Sequence, residues 1–236
     1  MESTHHKTTD LVIGLDFQTV DRALDFVEKV HEPEVSYQVG IELFLNGGPE
    51  LLRELAHRKQ RVLLDLKLLD TPSQVAKAVQ QAALYHVDAL SLQLMGGGAM
   101  FRAVRLALEE ISSLRPRLLG VGALGSFDDV RWAEVTRALT GHAVRVADSF
   151  GSLLDCAFAW GLDGVFCRAT ELERVRNTYP NLYTLVSMDF SQCDSFLELV
   201  RSLRADAVLL SASSLLRGHP MSELAGVFRG YGFSLS

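Results

Sequence analysis

The densest chemical signal in the chain is Asp65-Leu66-Lys67-Leu68-Leu69-Asp70, a DxKxxD pattern. Two carboxylates flanking one ammonium can hold that ammonium beside a reacting atom. There it would stabilise developing negative charge, or neutralise it with a proton, without waiting for solvent to reorganise. The same trio can also be a plain ion-pair network that ties a loop to a strand, with Asp70 capping the helix that starts at Pro72. Asp65 and Lys67 are two residues apart, so on a strand they face the same side. Asp16 ends the apolar run LVIGLD and would add a third acid if both runs end at one rim; as a turn residue after a strand it has an equally plain explanation. Gln38, Gln93 and Ser126 lie in or after other apolar runs, and Gln93 could hydrogen-bond a ligand. No HExxH, GxSxG or P-loop pattern accompanies them.

Short apolar runs must position these groups. They fall at residues 11–16, 35–40, 61–66, 87–94, 117–123, 163–167, 182–188 and 206–211. Amphipathic stretches alternate with them at residues 20–30, 49–57, 72–85, 99–111, 127–139 with 144–160, 172–177, 194–203 and 220–229. Such alternation predicts parallel strands joined by helical crossovers. Strands covered on both faces read as continuous apolar runs, as VLLDL and AVLL do. Eight regular units fill the chain, which predicts a single-domain α/β fold, the (β/α)8 TIM barrel, over residues 10–236. A doubly wound open sheet is the rival architecture. In a barrel, catalytic groups sit at the C-terminal strand ends and in the loops after them. That rule collects Asp16, Gln38, Asp65, Lys67, Asp70, Gln93, Ser126 and residues 188–191 at one mouth. Gly96-Gly97-Gly98 reads as a strand-to-helix turn, although a glycine run can also cradle an anion.

Composition narrows the function classes. The net charge of −6 argues against a nucleic-acid surface. No apolar run reaches the roughly 20 residues of a membrane span. Residues 1–9 form a polar segment without the apolar core of a signal peptide, and read as a disordered tail. Cys156, Cys167 and Cys193 are scattered and odd in number, which predicts reduced thiols and a cytoplasmic setting. No cysteine–histidine cluster suggests a metal.

Several segments together resemble the orotidine 5'-phosphate decarboxylase family. They are Ile13-Gly14-Leu15-Asp16, Val39-Gly40 with Glu42, Asp65-Leu66-Lys67 with Asp70 and Pro72, Gly96-Gly97 with Met100, Leu124 with Ser126, and Gly161-Leu162-Asp163-Gly164-Val165. The resemblance implies cofactor-free decarboxylation of a pyrimidine nucleotide, with Lys67 as the proton donor. It implies that Asp65 and Asp16 complete the charged network, that Ser126 contacts the pyrimidine, and that the protein is a homodimer whose partner supplies Asp70.

Three departures bear on the substrate. The family has a lysine where this chain has Gln38, which leaves the carboxylates one cation short. The PGIR-type segment and the long phosphate loop after the seventh strand are replaced by Val186-Ser187-Met188-Asp189-Phe190-Ser191. The GRP segment whose arginine grips the phosphate is replaced by Ser211-Ala212-Ser213, which offers hydroxyls and backbone amides but no charge. A nucleoside or another pyrimidine carboxylate is therefore an alternative to the nucleotide. A superfamily lyase on a different, unphosphorylated substrate and a catalytically silent binding protein are the competing functions. Related magnesium enzymes place a glutamate where Gln38 lies, and an amide is a poor substitute for that hard anionic ligand.

Overall fold

The computed structural model describes residues 9–30, 35–111, 115–123, 126–188, 202, 204–220, 223, 224 and 226. Eight parallel strands follow chain order around a closed barrel. They are β1 (Asp10–Gly14), β2 (Ser36–Gly40), β3 (Arg61–Leu68), β4 (Ala89–Gln93), β5 (Arg117–Val121), β6 (Gly164–Cys167), β7 (Tyr183–Ser187) and β8 (Ala207–Ser211). The pairing of β8 back onto β1, with Val12 opposite Leu209, closes the sheet and rules out the open alternative. The helices among the described residues are α1 (Val20–Val30), α2 (Ile41–His57), α3 (Pro72–Ala83), α4 (Gly97–Glu109), α5 (Asp129–Thr140), α6 (Val146–Ala159), α7 (Ala169–Thr178) and α8 (Ala212–Gly218). The expected polar tail lies outside the described residues except for Thr9. Thr9 is buried just ahead of β1, and its hydroxyl donates to the Ala205 carbonyl. The expected helix at 194–203 apart from residue 202, most of that at 220–229, and Leu124, Asp189, Phe190, Ser191 and Cys193 also lie outside.

Two apolar layers result from the pleat. Outward residues of the strands, such as Ile13, Leu64 and Leu90, pack against Phe26, Leu52 and Phe101 of the helices. Inward residues fill the barrel with Val12, Leu63, Leu119, Leu185, Ala207 and Leu209. Asp65 stands two residues beyond Leu63, on the same inward face one layer nearer the mouth. The fold thus uses an apolar plug to carry a charge at its upper end.

The differences from expectation have local causes. Helix α2 starts eight residues before the expected 49, but it is broken at Gly47, whose backbone is not helical. Pro49 then opens the second segment, a position where its missing N–H costs nothing. Gly97 has φ of 70°, a left-handed geometry that suits glycine, and it turns the end of β4 into α4. Helix α8 follows β8 directly, because the Ser211 hydroxyl accepts from the Ser214 N–H and caps it. At the opposite end of the barrel, the guanidinium of Arg176 binds Asp206 and the Thr184 hydroxyl, tying α7 to the feet of β7 and β8. Cys156 and Cys167 are unpaired thiols, and burial pushes that of Cys167 up. No helix among the described residues is long and apolar enough to cross a membrane.

Candidate active site

The mouth at the C-terminal strand ends opens into a cavity of about 740 Å³. Gln38, Asp65, Lys67, Arg168, Ser187 and Ser211 supply polar groups to its wall. A smaller cavity of about 310 Å³ lies at the other end of the barrel, between Arg61, Asp88, Arg117 and Tyr183.

Asp65 organises the mouth. It is only 4% exposed, and a carboxylate so buried must be satisfied by its neighbours. Its Oδ2 accepts from Lys67 Nζ at 2.6 Å and from Gln38 Nε2 at 2.6 Å. Its Oδ1 accepts from the Ser91 hydroxyl at 2.6 Å. Three strands, β2, β3 and β4, therefore meet on one carboxylate. Gly14 makes room for this arrangement, since a Cβ there would lie 2.6 Å from Gln38 Oε1.

Lys67 reaches the cavity by a route that strand alternation does not predict. The register between β3 and β4 slips between Leu64 and Leu68, leaving a bulge. Within it Lys67 adopts φ of 48°, left-handed geometry that is costly for a residue with a Cβ. The Ser91 hydroxyl pins the bulge by accepting the Lys67 backbone N–H at 2.8 Å. Bulges re-aim side chains beside functional sites. Here the result is an ammonium that sits on Asp65 while its side chain remains 37% exposed to the cavity. Among the described residues one of its three N–H donors is committed, to Asp65, and the others are available to a ligand.

Ser91 was not foreseen from the sequence. Its only signal is a hydroxyl within the buried run ALSLQ. Ser91→Ala should lower the unfolding free energy by about 1–3 kcal/mol, because it strips a donor from Asp65 and orphans the Lys67 N–H. Urea unfolding measures this, and an unchanged midpoint would show that the bulge does not need the hydroxyl.

The other expected residues are distributed unevenly. Ser211 lines the cavity, with its oxygen engaged in capping α8. Asp16 lies beyond β1 and is exposed; it accepts from the backbone N–H and the hydroxyl of Ser213, and makes no contact with Lys67. Asp70 is exposed and accepts from the Thr71 N–H, so it is not bonded to the ammonium within this chain and does not cap α3 through N2 or N3. Gln93 is buried, and its amide nitrogen, turned toward β5, donates to the Val121 and Gly122 carbonyls. Ser126 is exposed, and its carbonyl accepts from Arg131. None of Asp16, Asp70, Gln93, Ser126 and Ser213 borders the cavity among the described residues.

Arg168 and Glu171 are cavity residues that the sequence reading missed. Arg168 precedes α7, and its backbone N–H donates to the Glu171 carboxylate in a capping box. Burial raises the Glu171 carboxyl above the ordinary range, opposed by that N–H and by the Arg168 charge. A lone arginine after a strand carries no motif, which is why its position emerges only from the fold. Among the described residues no group of three histidine, cysteine or acidic side chains could hold a metal. With its amide nitrogen turned to Asp65, Gln38 does not fit the magnesium alternative.

Known proteins resemble this chain in sequence and in fold. The chain is 35% identical over 179 residues to an orotidine 5'-phosphate decarboxylase of Sodalis glossinidius, covering 75% of this chain and 68% of the relative. It is 34% identical over 222 residues to that of Chromobacterium violaceum, covering 92% of this chain and 87% of the relative. The crystal structure of the Lactobacillus acidophilus orotidine 5'-phosphate decarboxylase superposes with a TM-score of 0.82 at 21% identity, covering 95% of this chain and 99% of that one; at such identity it speaks for the barrel alone. The profile of the orotidine 5'-phosphate decarboxylase / HUMPS family matches residues 9–190, and the chain belongs to that family.

Proposed function

We propose that the protein is a cofactor-free carboxy-lyase acting on orotidine 5'-monophosphate or a close pyrimidine carboxylate, with Lys67 as the proton donor. One observation carries this reading: an ammonium held at 2.6 Å on a buried aspartate, with its remaining donors open to the mouth cavity. In the reaction the bond from the ring carbon to the carboxylate breaks. Carbon dioxide leaves, and the electron pair stays on the ring. The fixed ammonium stabilises that pair and then gives it a proton, forming the new C–H bond. Neutral Lys67 regains its proton from solvent. The charge is in place before the pair develops, which is the source of catalytic power in such sites. Asp65 repels the substrate carboxylate in the ground state and loses that repulsion as carbon dioxide departs.

The proposed assembly is a homodimer in which Asp70 of each protomer completes the other's site. Asp70 is exposed at the mouth. The exposed apolar residues Ile41, Leu45, Leu69 and Met95 follow the ends of β2, β3 and β4, the same sector of the rim. Apolar surface of that kind is suited to a second copy of the chain. Asp16 would act at longer range, through the charge it adds to the rim. The alternative of an unphosphorylated substrate draws on one observation: Ala212, at the end of β8, is fully buried and uncharged. The strain at Lys67 weighs against a silent binding protein, since a binding surface gains nothing from it.

The purified protein should convert orotidine 5'-monophosphate to uridine 5'-monophosphate and carbon dioxide in equal amounts, followed by proton NMR. Lys67→Ala and Asp70→Ala should each be inactive alone. Mixed and exchanged, they should recover up to about a quarter of wild-type activity, because half the dimers are mixed and each mixed dimer holds one intact site. No turnover by the wild type would refute the lyase, and no recovery on mixing would refute the shared site.

A further inference from the structure

We infer that Arg168 is the cation that grips the anionic tail of the cavity's ligand, a phosphomonoester if the nucleotide reading above holds, on which this inference rests. Among the described residues the cavity is lined by two cations, Lys67 from β3 and Arg168 just past the end of β6. Those strands lie nearly across the barrel from one another. The mouth is therefore built for a molecule that presents one anionic centre to each side.

Arg168 differs from the other arginines of comparable burial. Arg58 is paired with Glu54, Arg61 with Asp10, and Arg176 with Asp206. Arg168 is half-buried; among the described residues its guanidinium has one hydrogen bond, from Nη2 to the Phe127 carbonyl at 2.8 Å, and forms no salt bridge, although Glu171 is near enough to feel its charge. That bond fixes the fork at the cavity wall, while the remaining donors can meet a phosphate in the bidentate manner favoured by arginine. Neighbouring groups suit the same anion. Thr170 and Ser187 offer hydroxyls to the cavity, and the first turn of α7 presents N–H groups there. Glu171 is the one acid on this side among the described residues. Its carboxylate is turned to the Arg168 N–H. The charge missing from Ser211-Ala212-Ser213 is thus supplied from two strands away.

Isothermal titration calorimetry of uridine and uridine 5'-monophosphate, with the wild type, Arg168→Gln and Arg168→Lys, tests this. The wild type should bind the monophosphate at least about thirtyfold more tightly than the nucleoside. Arg168→Gln should erase at least about tenfold of that preference and leave uridine affinity within about twofold. Arg168→Lys should retain most of it. An unchanged preference in Arg168→Gln, or none in the wild type, would overturn the inference while leaving the lyase reading standing. Equal loss of both ligands in the two variants would mark Arg168 as structural and also overturn it. Failure of the wild type to bind either ligand would sink the nucleotide reading itself.

Discussion

Lys67→Ala should reduce carbon dioxide release from orotidine 5'-monophosphate by at least about 10⁴-fold, because it removes both the proton donor and the fixed charge facing the carbanion. The fold should survive. Asp65 keeps its bonds to Gln38 and Ser91, and the cavity admits water to the vacated place. A second substitution separates chemistry from strain. At φ of 48° alanine retains the steric cost borne by lysine, whereas glycine does not. Lys67→Gly should therefore be more stable than Lys67→Ala by about 1 kcal/mol, and equally inactive. Urea unfolding and a coupled carbon dioxide assay read the two properties. Turnover within tenfold of wild type in either variant would remove Lys67 from the mechanism.

Asp65→Asn should cost at least about 100-fold in turnover with little change in shape. The asparagine oxygen can still accept one bond, but its NH₂ would face donors where the carboxylate accepted from Lys67 and Gln38. Gln38 can relieve its half of the conflict by rotating its amide. Lys67 cannot, so its ammonium should drift from the bulge into the cavity. The stability loss should be about 1–3 kcal/mol, toward the lower end because the ammonium keeps access to water. Steady-state kinetics should show the loss mainly in kcat, since the ligand's remaining contacts persist. A loss confined to KM would mean that Asp65 only shapes the binding site.

The barrel was legible because its period is simple. Eight apolar runs bounded by turns have few other ways to bury themselves, and the third run fixed Asp65 above Leu63 by alternation alone. The placement of Lys67 was anticipated for an incomplete reason. Residues two apart do share a face, but this lysine reaches the cavity through a bulge whose pinning group, Ser91, sits on the next strand. Cross-strand bonds of this kind leave no trace in local sequence. Asp16 ends its run like a site residue, yet its bonds go to Ser213, whose backbone N–H lies in the first turn of α8, a helix that the sequence reading did not foresee. Gln93 faced the same ambiguity, and its amide nitrogen is taken by the backbone of β5. Arg168 was overlooked because arginine before a helix is an ordinary surface residue; only the closed barrel brings the end of β6 around to the mouth shared with β3. Asp70 belongs to a different class, for its proposed role depends on a second copy of the chain.

A crystal structure with uridine 5'-monophosphate bound would test the central claim most directly. The pyrimidine should lie inside the mouth, with the ring carbon that bore the carboxylate about 3–3.5 Å from Lys67 Nζ and the ammonium still on Asp65. A pyrimidine bound elsewhere, or one whose reacting carbon points away from Lys67, would contradict it.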